Sequence, residues 1–167
     1  MRHYPLGSNR SCEENLANAQ ELIRGATFVR DGVESNGTTR NMASPALAGL
    51  VLEFFYTGPS ALASLFPEVF AQEVPRSVVC LAATAVSTTA IDEYTITGVR
   101  QDRPFEYNTY SKVYMQFVGM QAKIDANSKH AMLTQKLRIH WATTGHVSSV
   151  DGDNMVAGED DFDVILD

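Results

Sequence analysis

Apolar positions along the chain recur at helical spacing far more often than in strict alternation. In "SCEENLANAQELIRG", Leu16, Ala19 and Ile23 form one apolar stripe. Ser11 and Glu14 stand at capping-box spacing in front of it, and Gly25 suits the left-handed position that ends a helix. The same grammar returns in "SPALAGLVLEFFYTG". Ser44 is placed to cap, Pro45 to sit in the first turn and Gly58 to close, while Leu47, Leu50, Val51, Phe54 and Phe55 fall at helical spacing. Between these two segments Gly32 and Asn36-Gly37 predict turns around a short Phe28–Val29 piece, a loop with at most a few residues of strand.

From Phe54 to Pro75 the pattern breaks into short apolar pieces at Pro59, Pro67 and Pro75. Proline disfavours helix in the residue before it and is tolerated in a first turn, so each of these is a helix boundary. The expectation is a corner, with one helical turn in "PEVFAQE" and with Phe66 and Phe70 plugging the gap between packed helices. "PRSVVCLAATAVSTTAIDEYTITG" then runs unbroken from Pro75 to Gly98. Its β-branched residues suggest strand, but the run is several times a usual strand length. Val78, Ala82, Ala85, Val86 and Thr89 also cluster on one side of a helical wheel, away from Arg76, Ser77, Thr84 and Thr88. Cys80, Leu81, Ala83, Ala90 and Ile91 make most other directions apolar too, the mark of a helix buried at the centre of its domain.

Tyr110, Val113, Tyr114, Phe117, Met120 and Ile124 predict a further helix, and Leu133, Leu137 and Trp141 another, stopped at Gly145. The fold class expected is therefore all-α: a single helical domain over residues 1–146 with a buried central helix. Helices around 45–56, 108–125 and 128–143 pack on that central helix. A flexible acidic C-terminal tail over 147–167 follows.

Charge sharpens that division. The net charge is −7, yet seven of the 20 acids lie after residue 146, where there is no Lys or Arg. The body is neutral and the tail carries the charge, which disfavours a general nucleic-acid role because an acidic tail repels phosphate. Cys12 and Cys80 have no CxxC or Cys/His spacing and read as reduced thiols, pointing to a cytoplasmic or nuclear setting. The N-terminus lacks a signal-peptide core, and no apolar run is long enough for a membrane span. The two N-x-S/T matches, at Asn9 and Asn36, carry little weight without secretion.

Candidate chemistry is sparse. Asp92 and Glu93 flank the apolar stripe of the central helix near its C-terminal end, where the helix dipole mildly disfavours carboxylates. Such acids need cations or donors, and Arg100, Arg103, Lys112 and Arg138 are available. One reading is a salt bridge that locks the helix to a neighbour. The other is a carboxylate pair serving a helix-lined pocket, with Tyr114 as a nearby polar group. Lys112, Lys123, Lys129, Lys136 and Arg138, against the single acid Asp125, mark a mildly basic helix pair that could meet nucleic acid or the acidic tail. The four histidines have no metal-ligand spacing. "DGDNMVAGEDDF" places Met155 and Phe162 where a calcium loop needs oxygens. No catalytic motif, phosphate loop or cofactor fingerprint is present, so no cofactor, metal or catalytic residue is assigned.

Read in order, "FPEVF…VP" (Phe66–Pro75), "LAATA…AIDEY…TG" (Leu81–Gly98) and "F…Y…YSKVY" (Phe105–Tyr114) resemble the domain of unknown function 6532 family of basidiomycete fungi. "ELIRGATFVRD" and "SPALAGLVLEFFY" match the approach to that core, and the closing "FDVILD" is similar to the ends of many members. The resemblance, over Asn15 to Gly145, implies a mainly helical fold with no established activity, cofactor or catalytic residues. It also implies additional helices before the position of Cys12 in fuller members, and hence an apolar face open to self-association. The function expected is a non-enzymatic interaction module that binds protein; the alternative is a small-molecule binder or enzyme using a pocket near Asp92 and Glu93.

Overall fold

In the computed structural model the described residues are 4–58, 60–91, 94–100 and 106–152. They form an all-α fold of seven α-helices: α1 (Cys12–Ile23), α2 (Pro45–Tyr56), α3 (Leu62–Leu65), α4 (Pro67–Phe70), α5 (Arg76–Ala85), α6 (Tyr107–Asp125) and α7 (Ser128–Gly152). A 3-10 segment, Arg24–Val29, follows α1, and a π-helical segment, Val86–Ile91, continues α5. Asp92, Glu93, Arg103 and the acidic residues after Gly152 lie outside the described residues.

Helix α1 begins as its capping box predicts. The Ser11 N–H donates to Glu14 Oε2 at 2.9 Å, and the Glu14 N–H donates to Ser11 Oγ at 3.2 Å. Its buried face is Asn15 and Ala19 with Leu22 packed beside them; Ile23 is exposed, so the apolar stripe lies one residue round from the expected one. Asn15 is buried because it pins the preceding segment, accepting from the Gly7 N–H at 3.1 Å and donating to the Gly7 carbonyl at 2.9 Å. Gly25 takes the expected left-handed turn (φ 63°), and Ala26 follows it at φ 53°. The loop after it contains turns at Gly32 and Gly37 and a single isolated bridge, Val33 with Thr39.

Ser44 occupies the N-cap position of α2 but makes no capping bond; its hydroxyl instead lies 3.2 Å from the Tyr4 hydroxyl. Leu47, Val51, Phe55 and Tyr56 form the buried face of α2, and Phe54 is exposed. The proline-broken stretch is a corner, as expected, though only one of its two aromatics plugs it. Phe70 is buried, stacked on Phe55 at 6.0 Å and edge-on to Tyr56 at 5.8 Å, whereas Phe66 is exposed.

Helix α5 and the π segment lie at the centre, against α2 and α6, with α1 packed on the π segment. Val79, Cys80, Ala82, Ala83, Thr84, Val86, Ser87, Thr88 and Ile91 are all buried. The burial of Thr84 and Thr88 departs from the helical-wheel expectation. It is tolerated because each hydroxyl donates back along the helix, Thr84 to the Cys80 carbonyl at 2.8 Å and Thr88 to the Thr84 carbonyl at 2.9 Å. The expected continuous helix is not a single α-helix either. It widens to π geometry at Val86.

Helices α6 and α7 follow one another through a short turn, with α7 packed chiefly on α2. The α6 stripe is as expected around Tyr110, Phe117 and Ile124, with Gln121 also buried and bonded to Asp125 at 3.0 Å. On α7 the buried line is Thr134, Arg138, Trp141 and Ala142. Gly145 does not end this helix, which runs on to Gly152. The glycine is required for another reason: a Cβ there would overlap the Tyr56 ring. Gly98 serves a similar purpose at φ 69°, its missing side chain leaving room for the Cys12 backbone.

Replacing Gly145 by Ala should therefore destabilise the protein by about 1–3 kcal/mol through overpacking against Tyr56. Gly119→Ala, on α6 with open space at its Cβ, should stabilise by about 0.5–1 kcal/mol. Urea denaturation of the two variants checks the pair; a Gly145→Ala protein as stable as Gly119→Ala would contradict the packing described.

Candidate functional site

Two cavities flank the contact between the central helix and α6, and Tyr110 lines both. Helices α5 and α6 run antiparallel. Arg76 Nε meets Asp125 Oδ2 at 2.9 Å at one end, and Thr88 and Tyr110 share a cavity at the other. Ser87 and Thr88 of the π segment face the second cavity together with Tyr110.

The first cavity, about 320 Å³, is a groove over the N-terminal part of α5. Ser77, Val78, Leu81 and Thr84 form one wall and Tyr107, Tyr110, Ser111 and Tyr114 the other. The surface it presents is carbon almost throughout, in spite of the phenols and serines. Leu81 is 42% exposed on a helix otherwise buried on nearly all sides, and Tyr107 is 82% exposed at the start of α6. No acid occurs in α5, and Asp125, engaged by Arg76, is the one acid of α6. Lys112 is exposed on α6, and Tyr114 is half-buried in the groove wall.

The second cavity, about 420 Å³, is lined by the 3-10 turn, the π segment and the middle of α6. A third, about 270 Å³, lies between the 30–43 loop and α7, with Arg40, Asn41, His130 and Lys136 around it. Arg40 pairs with Asp31 at 3.1 Å and Glu34 at 3.4 Å, and His130 Nδ1 lies 3.3 Å from Asn41 Nδ2.

Of the residues singled out from sequence, Arg100, Lys112, Tyr114 and Arg138 are described. Arg138 is 2% exposed, so it does not belong to the exposed basic face of α6 and α7. Its Nη2 donates to both Glu73 oxygens, at 3.3 and 3.4 Å, and its backbone carbonyl accepts from the Val74 N–H at 3.2 Å. It clamps the corner to α7. Lys112 and Tyr114 are on α6, and Arg100 is exposed in the turn that follows Gly98. Asp92 and Glu93 fall outside the described residues. Of the first groove's walls the sequence points only to Tyr114 as a pocket residue, although Tyr107 and Tyr110 stand at positions that share its helical face.

Burial, and then the nearby Asp125 charge, push the Cys80 thiol up to about 11, so it stays protonated at neutral pH. Among the described residues no group of three or more His, Cys, Asp or Glu could hold a metal ion. No described helix is long and apolar enough to cross a membrane.

These features define an all-α domain with cavities beside its central helix. The chain belongs to the family described as domain of unknown function (DUF6532), whose model matches residues 1–124. That match starts before Asn15 and stops within α6, so α7 lies beyond it. No curated protein and no solved structure matches the chain.

Burial of titratable groups sets an alkaline limit. Free Cys and Tyr lose their protons near 9.0 and 10.0, whereas burial holds those of Cys80 and Tyr56 to about 11 and about 12. The unfolded chain thus binds fewer protons than the native one above pH 9, and stability is lost as pH rises through that window. The melting temperature should be level with respect to these groups below pH 9 and fall from there to pH 12. Cys80→Ala should soften the first part of the fall, and a curve equally steep in that variant would contradict the assignment.

Proposed function

We propose that this chain is a non-enzymatic protein-interaction module that uses the groove between α5 and α6. It acts inside a fungal cell, in the cytosol or nucleus. The observation that carries the reading is Leu81, exposed on the most buried helix of the fold, beside a groove walled by Tyr107, Tyr110 and Tyr114. Aromatic walls around an apolar floor suit the anchoring side chains of a protein partner. The charges of α5 and α6 are Arg76, Lys112 and Lys123 against Asp125, and Glu106 caps α6 next to Tyr107, leaving a small basic excess. The partner segment that fits is therefore apolar with acidic neighbours.

Free thiols at Cys12 and Cys80 agree with an intracellular setting. The acidic residues after Gly152 oppose phosphate, which favours a protein over a nucleic acid as partner.

Selection from a random peptide library against the full chain tests the reading. Enriched peptides should combine apolar anchors with flanking Asp or Glu. Their binding should weaken about tenfold or more in Leu81→Asp and in Tyr107→Ala, the loss of one buried anchor costing about 1.4 kcal/mol or more. Selected peptides of another chemistry, or binding that survives both variants, would overturn it.

A further inference from the structure

The second cavity is a different kind of site from the interaction groove. Two backbone irregularities converge on it. On one side Gly25 and Ala26 are left-handed in succession, and for Ala26 that conformation opposes its own side chain. On the other, the central helix is widened into a π turn that brings Ser87 and Thr88 to the cavity wall. Strained backbone and π turns persist where something is gained from them, and binding sites are where they gather.

The wall chemistry is specific. Among the described residues no charged side chain lines the cavity. Phe28 and Phe117 meet edge to face at 5.9 Å, and Met120 adds a flexible apolar surface. Thr88 spends its hydroxyl on the Thr84 and Ala85 carbonyls, at 2.9 and 3.2 Å. Ser87 is 7% exposed and lines the cavity, and its hydroxyl carries no hydrogen bond to another described residue. Lining the cavity without a partner among the described residues, that hydroxyl can donate to or accept from a molecule bound there. At the rim Gln116 offers both a donor and an acceptor.

We infer that this cavity binds a small, neutral, mostly apolar molecule carrying one hydroxyl or carbonyl group, which Ser87 and Gln116 orient. Its volume of about 420 Å³ falls in the usual range for small-molecule sites, about 300–1,000 Å³. Charged ligands are disfavoured, because no described wall residue can compensate a desolvated charge. The inference does not rest on the interaction groove.

Two probes that share one scaffold test it on the full chain. N-phenyl-1-naphthylamine is neutral with a single N–H; 1-anilinonaphthalene-8-sulfonate adds a negative charge. The neutral probe should bind saturably at one site, about tenfold or more tighter than the sulfonate. Gln116→Trp, which fills the cavity from its exposed rim, should weaken the neutral probe by about tenfold or more, and Leu81→Asp in the other groove should change it by less than about twofold. Should Gln116→Trp lose its helical circular dichroism, Val113→Trp gives the same reading. Non-saturable binding, a sulfonate that binds as well, or affinity lost in Leu81→Asp but kept in the cavity-filling variant would overturn the inference.

Discussion

Helix α5 is the most buried helix, open to water only along Arg76, Ser77 and Leu81, and the rest of the fold follows from enclosing its other sides. Between Arg76 and Ala85 there is no Lys, Asp or Glu, and the side chains are mostly small. A segment of this kind gains stability only when neighbours enclose it, and its Ala82 and Ala83 let them come close. Helices α2 and α6 take two sides, and α1 covers the π continuation. The polar groups that must enter this environment are dealt with locally. Thr84 and Thr88 bond to their own helix, and Cys80 keeps its proton.

Enclosing a helix needs a chain that can turn sharply around it, and the proline-broken corner supplies the turn. Its hold on α7 is polar as well as aromatic. Arg138 reaches Glu73, the Val74 N–H reaches the Arg138 carbonyl, and His146 lies 3.3 Å from the Phe70 carbonyl through Nε2. A guanidinium this deeply buried is costly to desolvate, and two of its nitrogens have no hydrogen-bond partner among the described residues. Its benefit lies in register. The pair fixes which turn of α7 faces the corner, and the close approach of Gly145 to Tyr56 requires that same alignment.

Much of this was legible in the sequence because punctuation is local. Ser11 with Glu14, Pro45, Pro67, Pro75 and Gly25 each act within a turn of their own position, and each marks the boundary it implied. Gly145 misled for the same reason. A glycine inside a helix looks identical whether it ends the helix or admits a ring from another one, and here Tyr56 decides. Arg138 reads as surface charge until Glu73 is brought beside it from 65 residues away. The π turn has no periodic signature at all. The two cavities lie between separate elements, which is why no motif announced them.

The account places stability and binding on one element. The most buried helix, α5, presents Leu81 to the groove and continues into the π turn beside the second cavity. Native-state hydrogen exchange tests this most directly, since amides at the core of a fold exchange only through global unfolding. The amides of Val79 to Ala83 should be the slowest of the described residues, with exchange that tracks global stability as denaturant is added. Faster exchange there than in α7 would mean that α5 is not the centre about which the fold is built.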